Sequence, residues 1–180
     1  MKIYTGRRGQ TFERLLDYTN QIYQNQGRCL IQKRPTPVKV FKTHGRKVLS
    51  GVYESKSTVD YDGIYRNKAI VFEAKSTQIK TSFPLSMLAN HQIQYLDNAE
   101  KHGAVSFVII EMRAIGKVFV VPNTMIQKYV KESKTSGRKS IPVDVLETDA
   151  ETVKQGNGIP LDYLQAVDKL IDSNLNSEIS

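Results

Sequence analysis

The chain has 180 residues, 39% hydrophobic and 24% charged, with a formal charge of +8 at pH 7 and one cysteine. That composition is of an ordinary globular protein of about one domain's length, neither disordered nor fibrous. It excludes a membrane span, since no run of ~18 apolar residues occurs, and an internal disulfide or Cys/His zinc site, since Cys29 stands alone. With no apolar leader after the charged N-terminus, the expected compartment is a reducing cytoplasm. Charge is unevenly spread: +8 over residues 1–60, +6 over 61–143 and −6 over 144–180. A body so basic suggests a polyanionic partner, nucleic acid first and an anionic membrane surface second.

In chain order, the opening stretch reads as a helix, with Phe12, Leu15, Leu16, Thr19, Ile22 and Tyr23 at 3.6-residue spacing and Gly27 to end it. A strand is expected over 29–33, stopped by Pro35-Thr36-Pro37. Val38, Val40, Val48 and Val52 predict two further strands around a His44-Gly45 turn, in a segment rich in lysine and poor in core residues. This hairpin suits projection from the body. Residues 59–75 predict a second hairpin turning at Arg66-Asn67, and 76–83 a loop leading through Pro84 into a helix over about 85–101. The apolar run 104–111 and residues 117–121 predict strands buried on both faces. A short helix is expected over 122–132, a basic Ser/Gly loop over 131–139, and a last helix opened by Pro160. This order predicts an α/β or α+β fold around one mixed sheet, in a single domain over 1–180 with an acidic helical segment at 144–180.

Side chains alternate faces along a strand, so Glu73 and Lys75 share a face about 6.5–7 Å apart at the end of an otherwise apolar run. Buried charge without a partner is costly. An antiparallel hairpin turning at Arg66-Asn67 brings Asp60 toward Glu73. Two carboxylates beside a lysine form a hard-cation site, and Mg²⁺ needs only one or two carboxylates besides waters and phosphate oxygens. Lys75 is then placed to position a water or to stabilise developing negative charge. Asp62, on the same face as Asp60 by alternation, stays open as a rival ligand. Gln92 falls on the apolar stripe of its helix and Glu13 flanks that of the first. Each reads either as a locally bonded polar side chain or as a part of the cation site.

An acidic residue on one strand followed by Glu-x-Lys on the next is the pattern of the PD-(D/E)xK nuclease superfamily. Further segments occur in order: Arg8-Gly9, Lys33-Arg34-Pro35-Thr36-Pro37-Val38, Asp60-Tyr61-Asp62-Gly63-Ile64-Tyr65, Phe72-Glu73-Ala74-Lys75, Lys80-Thr81-Ser82-Phe83-Pro84-Leu85, His91-Gln92 and Gly137-Arg138-Lys139-Ser140. Together they resemble the RecU family of Holliday junction resolvases, over about residues 6 to 172. The resemblance implies a restriction endonuclease-like core, a mixed β-sheet flanked by helices, with residues 36–56 as a projecting basic β-hairpin stalk. It implies Asp60 and Glu73 as Mg²⁺ ligands (Mn²⁺ as a substitute), Lys75 as the catalytic lysine, Glu13 as an acidic residue completing the site, and Gln92 in support. Arg8 and Lys33, with Arg34 beside it, match residues that engage DNA. Tyr53 matches an aromatic at the base of the stalk.

The function so implied is structure-selective cleavage of four-way DNA junctions by paired Mg²⁺-dependent phosphodiester hydrolysis, in recombination and repair. Two incisions at symmetry-related phosphates require a homodimer. Lys39, Lys42, Arg46 and Lys47 on the stalk are expected to enter the crowded centre of the junction, with Arg138 and Lys139 as a second phosphate contact. The lead before Arg8 is shorter than the family's basic tail, so dealings with the RecA recombinase are not carried over. Rival readings are another endonuclease of the superfamily, of restriction or repair type, and a non-catalytic DNA-binding or annealing protein.

Overall fold

The computed structural model describes the backbone of residues 6–54 and 58–178 and, within these, the side chains of 11–54 and 58–173. The first helix, α1 (Gly6–Asn25), buries Phe12, Leu16, Thr19 and Tyr23 along one stripe. Gly27, at φ +66°, ends it in the left-handed region that costs glycine least. Strand β1 (Leu30–Lys33) follows, then β2 (Val38–His44) and β3 (Lys47–Tyr53), which pair only with each other. Every residue of β2 and β3 is exposed, so this two-stranded ribbon stands apart from the core as its lysine-rich, core-poor sequence requires.

Next come β4 (Tyr61–Tyr65) and β5 (Lys68–Thr77), antiparallel about Arg66 and Asn67, both at positive φ (48° and 57°). Two successive left-handed residues make a turn whose twist matches that of the strands. Beyond β5 lie β6 (Ser82–Pro84), α2 (Asn90–Lys101), β7 (Val105–Met112), β8 (Lys117–Pro122), α3 (Asn123–Thr135), β9 (Ser140–Pro142), α4 (Val143–Asp149), β10 (Glu151–Val153) and α5 (Leu164–Glu178). The main sheet runs β1-β4-β5-β7-β8-β10, and β5 and β7 are parallel in an otherwise antiparallel arrangement. This is the expected mixed sheet flanked by helices.

The two parallel strands are central because their sequences are apolar on both faces. One face carries Phe72, Phe107 and Ile109 against α1 and α5; the other carries Val71, Val108 and Ile110 against α2 and α3. Phe72 lies between Tyr61 and Phe107, ring centroids 4.8 and 5.0 Å away and nearly parallel. Emptying that position would cost ~3–5 kcal/mol. Gly63 has a different reason to be small. A Cβ there would sit 2.0 Å from the Leu30 carbonyl oxygen, so any side chain would push β1 off β4.

Three boundaries differ from those the sequence predicts. The helix expected over 85–101 starts at Asn90, because Ser82–Pro84 pairs with β9 and Leu85–Met87 forms only a single tight turn. The basic loop expected over 131–139 shrinks to 136–139, since α3 continues to Thr135. Pro160 does not open the last helix. Asp162 is drawn into bonds with Tyr23 (2.8 Å) and Gln165 (2.6 Å), and α5 begins at Leu164. Among the described residues no helix is long and apolar enough to cross a membrane.

Candidate active site

The β4–β5 register pairs Tyr61 with Phe72, so the next step outward sets Asp60 against Glu73. The contacts are reciprocal. The Asp60 N–H donates to Glu73 Oε2 (3.2 Å), and the Ala74 N–H donates to Asp60 Oδ2 (3.0 Å). Glu73 Oε1 accepts from Lys75 Nζ and from Gln92 Nε2, each at 2.5 Å. Glu73 is fully buried while Lys75 keeps 20% of its side chain exposed. The strand thus emerges from the core between its carboxylate and its ammonium.

Gln92 is held from both ends of its amide. Its Oε1 accepts from the Ala89 N–H at 2.9 Å, satisfying a free donor at the N-terminus of α2, and this leaves Nε2 to face Glu73. Its place on an apolar stripe therefore has a polar cause.

Burial pushes the Glu73 carboxyl up to about 8, the nearby Asp60 charge adds to the rise, and Lys75 opposes it without cancelling it. A divalent cation between Asp60 and Glu73 would remove that repulsion. Among the described residues no three His, Cys, Asp or Glu side chains gather at one point, so the protein offers an acidic pair. A pair suits Mg²⁺, which retains waters and takes remaining oxygens from a phosphate.

Glu13 stands one step away. Its Oε2 meets Lys33 Nζ at 2.5 Å, and Lys33 also lies 4.0 Å from Asp17. Tyr61 donates to Asp17 Oδ1 (2.6 Å) and to the Glu13 carbonyl (3.1 Å), fixing this part of α1 to β4. Burial acts to lower the Lys33 ammonium, but the bond to Glu13 and the charges of Glu13, Asp17 and Asp60 outweigh it, and the net direction is upward. The structure brings Asp60, Glu73, Lys75 and Gln92 together directly and, among the described residues, joins Glu13 to them through Lys33 and Tyr61.

The family model described as RecU, recombination protein U, matches residues 7–169 of the chain. The chain belongs to the RecU family. It is 34% identical over 174 residues to a protein of Geobacillus sp. (strain WCH70) named Holliday junction resolvase RecU, covering 94% of this chain and 87% of that one. A Pediococcus pentosaceus protein of the same name is 35% identical over 173 residues, covering 93% and 86%. One from Staphylococcus aureus (strain JH9) is 33% identical over 171 residues, covering 92% and 82%. Among solved structures, the Holliday junction resolvase Hjc of Archaeoglobus fulgidus aligns over 78% of this chain and 93% of its own, at 14% identity and a TM-score of 0.44, too loose a likeness to carry an argument.

In this RecU-family chain the basic residues singled out from sequence fall into three situations. Lys39, Lys42, Arg46 and Lys47 lie on the exposed ribbon, where Tyr53 is 77% exposed. Arg138 and Lys139 are exposed in the loop between α3 and β9. Lys33 and Arg34 are engaged within the protein: Lys33 with Glu13, and Arg34 with Asp62 at 2.9 Å, with Thr58 Oγ1, and with the Tyr95 ring 5.2 Å from its guanidinium carbon. The Arg8 side chain lies outside the described residues. The Arg34 pair also gives Asp62 a role other than rival ligand. Tyr95 and Thr58 do not stand out in the sequence as site residues; the one signal there is the three-residue spacing of Tyr95 from Gln92 on α2.

Proposed function

We propose that this chain cuts four-way DNA junctions, the substrate named for its RecU-family relatives, by divalent-metal-assisted phosphodiester hydrolysis. The carrying observation is the fully buried Glu73 carboxyl set against Asp60 and bonded to Lys75 and Gln92, its pKa raised by burial and by Asp60 despite Lys75. A divalent cation between the two carboxylates would relieve that repulsion and put the pair to use. Asp60 and Glu73 would hold the ion, Mg²⁺ by preference, with Mn²⁺ as a substitute. When bound, the ion neutralises charge on the scissile phosphate and makes a water acidic enough to attack at neutral pH.

The side chains divide the remaining work. Lys75, partly exposed above Glu73, orients the attacking water and stabilises negative charge as it develops on the phosphate. Gln92 fixes the Glu73 carboxylate, which would keep it in place to hold the ion. Glu13 and Lys33 border the site, where Lys33 offers its ammonium to an incoming phosphate. The ribbon supplies selectivity, since its charges lie on a narrow projection that a branched DNA surrounds and a linear duplex does not. Two such chains, each with one site, would make the paired incisions as a homodimer. The working compartment on this reading is the cytoplasm.

The test compares wild type with Asp60→Asn on four-way, Y-shaped and linear DNA, with and without Mg²⁺. The expected result is Mg²⁺-dependent cleavage of the four-way substrate by wild type alone, while both proteins bind the junction in chelator. Cleavage by Asp60→Asn at the wild-type rate would overturn the site; equal cleavage of all three substrates would overturn the junction reading.

A further inference from the structure

We propose that Arg34 is a positioning residue that fixes Asp60 for the metal ion, and not the DNA contact that the family resemblance implied. The proposal rests on the reading of Asp60 and Glu73 as the ion's ligands. Arg34 holds the Asp60 segment by main chain and side chain together. Its N–H donates to the Asp60 carbonyl at 2.8 Å, extending the β1–β4 ladder one residue beyond the Lys33–Tyr61 pair. Its guanidinium then reaches both sides of Asp60: Nε meets Asp62 Oδ2 at 2.9 Å, and Nη1 donates to Thr58 Oγ1. Thr58 and Asp62 are the residues two before and two after Asp60, so one planar cation clamps the backbone that carries the carboxylate.

The same guanidinium lies over the Tyr95 ring. Tyr95 is on α2, three residues after the Gln92 that holds Glu73. Arg34 therefore ties the support of one acidic side chain to the support of the other. Its type follows from this geometry. A flat fork with several fixed donors can bond two oxygens and stack on a ring at once, which a lysine ammonium cannot do. Asp60 needs such a tie because it lies just before β4, outside the regular ladder with β5. Ion-binding side chains must hold their place to within about 0.5 Å to work.

The experiment uses Arg34→Met and Arg34→Lys in the full chain. Each is followed by Mg²⁺ titration of junction cleavage, by the rise in melting temperature on adding Mg²⁺, and by junction binding in chelator. In both variants the half-saturating Mg²⁺ concentration should rise ~10–100-fold, the usual consequence of removing a group that orients a metal ligand. The Mg²⁺-induced rise in melting temperature should shrink with it, while binding in chelator stays at the wild-type level. Arg34→Lys guards against mere loss of folding, because it keeps the charge and loses only the fork. If Arg34→Met instead weakens binding in chelator and Arg34→Lys restores it with normal Mg²⁺ dependence, Arg34 is a phosphate contact and the proposal is overturned. Should Asp60→Asn, run alongside, leave the Mg²⁺ titration unchanged, the metal reading itself has failed and the proposal falls with it.

Discussion

The end of β5 and the β2–β3 ribbon treat charge in opposite ways. At the end of β5 a fully buried carboxylate is met at hydrogen-bond distance by the Asp60 N–H, Lys75 and Gln92, and Gln92 is itself fixed by the Ala89 N–H. On the ribbon four cationic residues stand with no acidic residue among 38–53, beside apolar side chains that are 42% to 77% exposed. One region fixes a few atoms despite unfavourable burial. The other offers charge and apolar surface with little fixing at all. On the proposed function, the difference would separate bond cleavage from substrate choice: rigid geometry is needed where a bond breaks, whereas a branched polyanion can be selected by where charge is placed.

If that division holds, variants in the two regions should fail in different assays. The largest effect belongs to the β5 end. Glu73→Gln should lower junction cleavage on the order of 10³-fold, the several kcal/mol that a bound divalent ion supplies, and Lys75→Ala should lower it ~10²–10³-fold. Both should bind the junction in chelator as wild type does. Gel-shift and single-turnover cleavage measured on the same preparations check this, and a parallel loss of binding would break the comparison.

Ribbon variants should show the reverse. Lys39→Ala with Lys42→Ala should leave Mg²⁺ dependence unaltered but reduce the preference for four-way over linear DNA ~10-fold. It should also flatten the plot of log binding constant against log salt by about one unit for each phosphate that the lysines no longer neutralise. A variant that slowed both substrates by the same factor, keeping the preference for four-way DNA and the salt slope unchanged, would place the ribbon outside substrate recognition.

Much of this is legible in the residues alone, for local reasons. The β4–β5 hairpin follows from alternation and a two-residue turn, and once it is drawn Asp60 must approach Glu73. The ribbon follows from a stretch with strand character and nothing fit for a core. What the sequence hides depends on contacts between distant segments. Arg34 sits in a basic run and looks like a DNA contact; its bonds to Thr58, Asp62 and Tyr95 exist only once β1, β4 and α2 are packed together. Pro84 and Pro160 look like helix openers, but residues 82–84 pair with β9, and the chain after Pro160 is held by Asp162 bonding to Tyr23 and Gln165. Gln92 looks misplaced on an apolar stripe until its two partners, Ala89 and Glu73, are seen to satisfy it from opposite sides.

The smallest expected effect concerns stability, and it asks whether the β5 end is strained without its ion. Glu73 has a folded-state pKa of about 8 against an ordinary value of 4.5, raised first by burial and then by Asp60. A carboxyl whose pKa rises on folding binds more protons in the folded than in the unfolded chain between those values. Its contribution to stability is therefore complete below about pH 4.5 and is lost as pH rises through 8. In metal-free protein the melting temperature should fall between pH 5 and 8 by more in wild type than in Glu73→Gln. The difference should be ~5 °C, corresponding to a couple of kcal/mol in a chain of this length. Adding Mg²⁺ at pH 8 should recover that loss in wild type and leave the glutamine variant unmoved, because an ion that binds only the folded pair stabilises it by mass action. Identical pH profiles for the two proteins would mean that the buried carboxylate is already satisfied by Lys75 and Gln92, and that the contrast between a strained interior and an unconstrained ribbon is overdrawn.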